Sequence, residues 1–464
     1  MDARVSKERI VRDFDQYVDE RFDEGVFRVH LDTFRDPELF DLEMEYIWEK
    51  TWVFVVHDSQ IPENNDFITT QIGRQPVIMQ RGDDGKVRAF LNHCTHRGPR
   101  LCKTQRGNAA RHTCPYHGWM FDSQGNNMMV VDEETGGYSD AFKSMSHDLH
   151  QVVRLESYRG FYWASLSDEV PALNDYLGDI RFFLDAWIDQ SPNELEWVKG
   201  DANFSYDGNW KMVVENCLDL YHAKTLHSSF GNAVMNRFKN MGEDERKSIN
   251  LDDFINATAE VSYYNFDHGH GALWIHNQSK QEDRPSYAMY QEMEERVGAD
   301  KAELMLSGKV AAIYPSILFV ESATFQIRMI RPISVDKTEV YAFCLAPKGE
   351  PAEARSLRIR QYEDFFGASG LATPDDTAVY RSAQEGDEAR VLDWNQGYHR
   401  GIEMIQEGPD EKAKQMGFNP TLSIHGSIAI QGEAQYIGSY REWLKKMKAG
   451  QDSALSKLSG DDRG

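Results

Sequence analysis

Cys94-Thr95-His96-Arg97-Gly98 and Cys114-Pro115-Tyr116-His117-Gly118-Trp119 are two short runs with seventeen residues between His96 and Cys114. Each brings one thiol and one imidazole, spaced C-x-H in the first run and C-x2-H in the second. Four such donors on two loops suit a [2Fe-2S] cluster with thiolates on one iron and imidazoles on the other. They also suit a tetrahedral zinc ion. Ligand order weighs against zinc, because zinc knuckles usually pair two cysteines on one loop and two histidines on the other. Gly98 and Gly118 let backbone amides approach the metal group, where hydrogen bonds to sulfur tune a redox potential.

Outward from these runs, the chain from Trp52 to about Leu166 is a series of short β-prone stretches broken by turns. WVFVVH, FITTQIG, PVIMQRG and KVRAFLNHC are the clearest, the last two flanking Asp83-Asp84-Gly85. This predicts a small antiparallel β domain over residues 51–166. Before it, residues 1–50 read as a helical piece: Asp36-Pro37-Glu38 has the N-cap, first-position proline and first-turn acid of a helix, and Leu39, Phe40, Glu43, Tyr46 and Ile47 continue at helical spacing to Trp52. After it, DYLGDIRFFLDAWIDQ, the stretch from Trp210 and RSLRIRQYEDFFG read as helices, while ILFVESATFQIRMIRPI and TEVYAFCLA read as strands. Residues 167–445 are thus expected to form an α+β domain with a central antiparallel sheet and covering helices, into which the β domain is inserted. Residues 446–464 are expected to be a frayed tail.

A second group of donors lies in Asn209 to His227. Asp219 and His222 are three apart, so on a helix they share a face and the carboxylate can take the imidazole N–H. His222 and His227 are five apart, about 140° around a regular helix. Both reach one metal only if the helix bends or ends between them, which Ala223 to Leu226 followed by Ser228, Ser229 and Gly231 permits. Two imidazoles and one carboxylate make the facial triad of non-haem iron sites. By themselves, two histidines near a helix end are more often structural or solvated. Spacing cannot choose the carboxylate among 75 acids.

Composition sets the outer limits. With 51 Lys and Arg against 75 Asp and Glu, the net charge of −24 disfavours nucleic acid or anionic membranes as partners. A mean hydropathy of −0.61 argues against a membrane span. The charged start, MDARVSKERIVRDFDQY, does not read as a secretory signal, so a cytoplasmic location is expected. Five scattered cysteines, Cys94, Cys102, Cys114, Cys217 and Cys344, do not make a disulfide framework. Cys102 is expected to be a buried, inert thiol.

CTHRG with CPYHGW resembles the Rieske signature, and Pro99 and Tyr116 stand where respiratory Rieske proteins carry a disulfide, which likens the cluster to the low-potential type of oxygenases. E-N-x2-D-x-Y-H-x4-H, from Glu215 to His227, resembles the mononuclear-iron motif of aromatic ring-hydroxylating dioxygenases. With IGRQPVIMQRGDDGKVRAFLNHCTHRG, SYRGFYWASL, DQSPNELE, AAIYPS and IRQYEDFFGASGLATPDD, the resemblance covers nearly the whole chain and is to the benzoate and anthranilate dioxygenase large subunits.

The resemblance implies a Rieske [2Fe-2S] cluster on Cys94, His96, Cys114 and His117, and a mononuclear Fe(II) on His222, His227 and Asp376. Asp375 is the alternative, because Thr373-Pro374-Asp375-Asp376 also reads as an ordinary helix start with acids in its first turn. It implies that Asp219 links the two sites, bonding to His117 or His96 of a neighbouring subunit in a head-to-tail trimer of large subunits, with or without a small β subunit (α3β3). It also implies O2 and an aromatic acid such as benzoate, anthranilate or salicylate as substrates. The products would be a cis-dihydrodiol acid, or catechol where an amino or hydroxyl group and the carboxylate are lost. The chain has no G-x-G-x-x-G after a strand and no C-x4-C-x2-C spacing, so NADH and FAD enter only through a separate reductase, with or without a ferredoxin between. Cys217, Leu218 and Leu220 depart from the smaller residues of benzoate-type relatives, which leaves aniline-like and neutral rings open, and Arg328 is a candidate for a substrate carboxylate. A Rieske electron carrier would leave the residues after the β domain without a purpose, and a zinc-stabilised binding protein would leave Asp219, His222 and His227 unexplained.

Overall fold

The computed structural model describes residues 11–229, 236, 260–276, 282, 284–322, 324–367, 370, 372–427 and 432–461. It divides into two compact units, Trp48–Leu173 and the paired segments Met1–Ile47 and Asn174–Gly464.

The Trp48–Leu173 unit is built from three small antiparallel sheets. The largest orders Val87–Leu91, Gln75–Arg81, Asp66–Ile72 and Arg106–Asn108 side by side. Val77, Ile78 and Met79 are fully buried and pair with Leu91, Phe90 and Ala89. The connecting turn closes through Gly82 N–H to Lys86 O and Gly85 N–H to Gly82 O, with Gly85 at a φ of 77° that a side chain would disfavour. Asp84 then holds Arg88 at 2.8 Å. A second sheet, Asn127–Met129, Met120–Asp122 and Arg111–Thr113, supplies Phe121 to a core shared with Ile78, Phe90, Trp119 and Leu149. The thiols Cys94 and Cys114 belong to the same core.

The other unit carries a ten-stranded antiparallel sheet. Its order runs Leu195–Asp201, Lys337–Pro347, Phe325–Ser334, Ile317–Glu321, Lys309–Ile313, Gly271–His276, Glu260–Asn265, Leu422–Ser427 and Gln406–Glu407, with Phe204–Tyr206 also pairing on Lys337–Pro347. Helices Trp210–Leu218, Ala352–Phe366 and Thr373–Asp387 accompany this sheet, giving the expected α+β class with an antiparallel centre. Asn209 starts the first of them, its side chain accepting from Lys211 N–H at 3.1 Å while its amide donates to Val335 O and Phe34 O. Burial of charge is compensated nearby. Glu43 is fully buried, accepts from Trp210 Nε1 at 2.9 Å and Trp443 Nε1 at 2.7 Å, and pairs with Lys211.

Four local expectations change in detail. The N-terminal piece is not wholly helical, since Val18–Arg21 and Val26–Val29 pair as a hairpin before the helix. That helix is capped by Asp36 as its sequence indicates, but its regular turns end at Glu43 and a wider π-type turn covers Met44–Trp48. ILFVESATFQIRMIRPI is two strands, not one, folded back so that Phe319 faces Ile327. The stretch expected to fray instead continues a helix from Ile437 to Asp461. Trp443 and Met447 are buried on it, Gln451 bonds both backbone groups of Arg12, and Gly450 makes room for Tyr46.

Two candidate metal centres

The two Cys-His loops are closed in the same way. Cys94 N–H donates to Pro99 O at 3.0 Å and Gly98 N–H to Cys94 O at 2.9 Å; Cys114 N–H donates to Trp119 O at 2.8 Å and Gly118 N–H to Cys114 O at 3.0 Å. Gly98 and Gly118 sit at φ of 86° and 74°, a left-handed geometry that turns each loop back on itself. The imidazoles of His96 and His117 meet with ring centroids 4.6 Å apart, and His96 stacks on Trp119 at 4.7 Å.

Both Nδ1 atoms, of His96 and of His117, are buried and have no hydrogen-bond partner. Buried polar atoms in a folded protein are almost always satisfied, so two orphaned imidazole nitrogens beside two buried thiols suit a bound metal group. Burial and the adjacent Cys114 raise the Cys94 thiol above its ordinary pKa, which disfavours adjacent thiolates without cations to neutralise them. The donor set fits a cluster held by sulfur on one side and Nδ1 on the other. Cys102 is apart from it. Its thiol lies 3.2 Å from His112 Nδ1, and burial pushes it up to about 12, so it is an inert thiol.

The second group forms where the helix Trp210–Leu218 stops. Asp219 ends it in an extended conformation, and a separate single turn, Ala223–Leu226, follows with His222 before it and His227 after it. The break needed for both imidazoles to converge is thus met by this turn ending at His227, with ring centroids 5.2 Å apart. Gly231, expected to help that ending, lies outside the described residues. Asp219 reaches His222 as expected, at 3.0 Å from Oδ2 to Nδ1, but for a different reason. The carboxylate sits in a turn and also accepts the backbone N–H groups of Tyr221 and His222.

The helix Thr373–Asp387 starts opposite, with Pro374 and the two acids in its first turn. Asp376 is buried and its Oδ1 lies 3.2 Å from His227 Nε2 and 3.7 Å from His222 Nε2. Asp375 turns away to Ser229 Oγ at 2.9 Å and stands 3.7 Å from His227 Nδ1. One donor atom from each of His222, His227 and Asp376 falls within 4.8 Å of the others, a spacing that could hold a cation. Burial opposes protonation of His227, yet Asp376 and Asp375 outweigh it and raise its pKa, so in the absence of a metal a proton would supply the positive charge.

One contributor carried no expectation although it was quoted in the motif. The Asn216 side-chain amide lies 3.3 Å from His222 Nε2 and 3.2 Å from Asp376 Oδ1. It donates, so Nε2 is the accepting nitrogen and Nδ1–H is the donor to Asp219. Nothing in the spacing of Asn216 signals this, because its partner on the far helix is 160 residues away.

Comparisons with known proteins agree with the two units. Residues 51–135 match the Rieske [2Fe-2S] domain family, and residues 187–414 match the ring hydroxylating alpha subunit (catalytic domain) family. The chain is 39% identical to toluate 1,2-dioxygenase subunit alpha of Pseudomonas putida, covering 93% of this chain and 94% of that one. It is 36% identical to the anthranilate 1,2-dioxygenase large subunit of Acinetobacter baylyi, covering 95% and 94%. A solved naphthalene 1,2-dioxygenase with indole in its active site superposes with a TM-score of 0.76 at 25% identity, covering 93% of this chain and 96% of that one. Among the described residues no helix is long and apolar enough to cross a membrane.

Proposed function

Because the chain belongs to the large-subunit family of Rieske non-haem iron ring-hydroxylating dioxygenases, we propose that it dihydroxylates an aromatic acid of the benzoate, toluate or anthranilate kind. One O2, two electrons and two protons are consumed, and both oxygens end on adjacent ring carbons. Relatives named for toluate and anthranilate support the acid as substrate. The observation that carries the reading is the meeting of His222 Nε2, His227 Nε2 and Asp376 Oδ1.

In this reading Cys94, His96, Cys114 and His117 hold the [2Fe-2S] cluster, and His222, His227 and Asp376 hold the mononuclear iron. When bound, the cluster supplies electrons and the iron activates O2. The protein's own groups prepare the site. Asp219 accepts a hydrogen bond from His222 Nδ1–H, which keeps the Nε2 lone pair, met here by the Asn216 amide, turned to the point where iron would bind. Asn216 donates to Asp376 Oδ1, the oxygen that faces the imidazoles, and so steadies it. Burial of His227 and Asp376 limits water at the reacting point.

The half-buried rings of His96 and His117, whose Nδ1 atoms face inward, leave an edge of each ring for a partner. Asp219 of a neighbouring subunit would occupy it in a head-to-tail trimer, with or without a small β subunit. A separate reductase supplies electrons from NADH through FAD, with or without a ferredoxin. Purified protein with that reductase, given benzoate, toluate, anthranilate, salicylate, aniline and toluene, tests the reading by product analysis. Cis-diol acid or catechol from the acids is expected; products from the neutral rings alone would refute it.

A further inference from the structure

The strand Phe325–Ser334 turns Ile327 and Met329 to one face and Gln326 and Arg328 to the other. Arg328 is only 3% exposed. A buried guanidinium is costly unless its five N–H donors find acceptors and its charge finds a counter-ion. Among the described residues its hydrogen-bond partners are Gln326 Oε1, 2.7 Å from Nε, and Cys217 Sγ, 3.1 Å from Nη1. Neither is a carboxylate, and a thiol sulfur is a weak acceptor. Burial works against the charge, but Cys217, Tyr380 and Asp376 more than offset it, so the group stays cationic.

Its surroundings lead to the ligand triad by two routes. Through the helix, Cys217 follows Asn216, whose amide touches both His222 and Asp376. Through aromatic rings, the guanidinium carbon lies 5.5 Å from the Phe366 ring, Phe366 packs edge-on against Phe365 at 4.7 Å, and Phe365 lies 6.5 Å from the His227 ring. Phe204 flanks the guanidinium at 5.8 Å. A cation short of acceptors and a metal point are thus joined by phenyl groups, a chemistry that complements a flat ring carrying one negative group. Leu218 directs its bulk to Gly271, on the strand Gly271–His276 three places away from Phe325–Ser334 in the sheet.

We propose that Arg328 receives the carboxylate of the aromatic-acid substrate, which displaces the Cys217 thiol from Nη1 and holds the ring among the phenyl groups beside the triad. The assignment rests on the aromatic-acid reading of the function. Exchanging a sulfur acceptor for a charged, bidentate oxygen pair is favourable, and a site that leaves a buried cation unpaired rejects neutral analogues.

The test compares benzoate with benzamide, which keeps the shape and loses the charge. Wild type, Arg328→Gln and Arg328→Lys are assayed as holoenzymes with reductase, and benzoate affinity is measured separately by calorimetry. For Arg328→Gln, benzoate affinity and kcat/KM are expected to fall about tenfold to a hundredfold while benzamide changes less than about threefold. Arg328→Lys, which keeps the charge and is less disruptive to folding, should lie between. Visible spectrum and iron content should match wild type in both. A benzoate-to-benzamide ratio unchanged in either variant, or equal losses for the two ligands, overturns the assignment to Arg328 while leaving the acid reading intact. A wild-type enzyme that oxidises neutral rings and no aromatic acid overturns the acid reading, and the assignment with it.

Discussion

Asp219 places one carboxylate oxygen 3.0 Å from His222 Nδ1 across a turn that begins where a helix has already ended. The contact orients the imidazole and sets its tautomer without making Asp219 a ligand. Asp219→Asn keeps the size, removes the charge and halves the accepting capacity. The variant is expected to retain its brown colour, most of its mononuclear iron and its reducibility by the reductase, yet fail to pass electrons on to turnover. In single-turnover mixing of the reduced variant with substrate and O2, the cluster should stay reduced. Oxidation at the wild-type rate with normal product yield would contradict the linking role.

Purified protein should contain about three irons per subunit, two in the cluster and one mononuclear. His222→Ala, His227→Ala and Asp376→Ala should each reduce this to about two and abolish turnover, while the visible spectrum of the cluster is unchanged. Asp375→Ala should keep the third iron, since its carboxylate faces Ser229 and not the shared point. Metal analysis decides: loss of iron in Asp375→Ala with retention in Asp376→Ala would reverse the assignment.

His96→Cys or His117→Cys should lower the midpoint potential toward the about −400 mV of all-thiolate plant-type clusters, because thiolate donates more charge to the iron than imidazole does. Potentiometric titration followed by visible absorbance reads it. An unaltered potential would remove the two histidines from the ligand set.

Glu215 is a pH-sensitive element of the fold. It bonds the hydroxyls of Tyr398, at 2.7 Å, and Tyr440, and burial raises its pKa from the ordinary 4.5 to about 7. The folded chain therefore keeps a proton that the unfolded chain releases near pH 4.5, so this group's contribution to stability is full below that value and is lost as pH rises through 7. The loss amounts to roughly 3 kcal/mol. Glu215→Gln should flatten the fall in melting temperature between pH 5 and 8 relative to wild type. Parallel Tm profiles for the two proteins would show that Glu215 does not titrate there.

The sequence by itself determined whatever is decided by near neighbours in the chain. The Cys-His loops, the glycines at 98 and 118, the Asp36-Pro37 helix start and the hairpin around Asp83-Asp84-Gly85 all depend on contacts a few residues apart, where spacing and backbone preference suffice. Tertiary structure alone separates Asp375 from Asp376 in placement. Both lie in one helical first turn, and a rotation of about 100° per residue brings Asp376 to the Nε2 atoms of both imidazoles and Asp375 to Ser229 and the Nδ1 side of His227. The same holds for Asn216, which meets Asp376 across 160 residues, and for Glu43, whose partners Lys211 and Trp443 lie far along the chain. It holds too for the last helix, whose charged sequence looks unanchored until Tyr46 and Arg12 are seen against it. Such pairings depend on which elements pack together, and that is set by burial of the whole apolar surface and not by any periodicity within one segment.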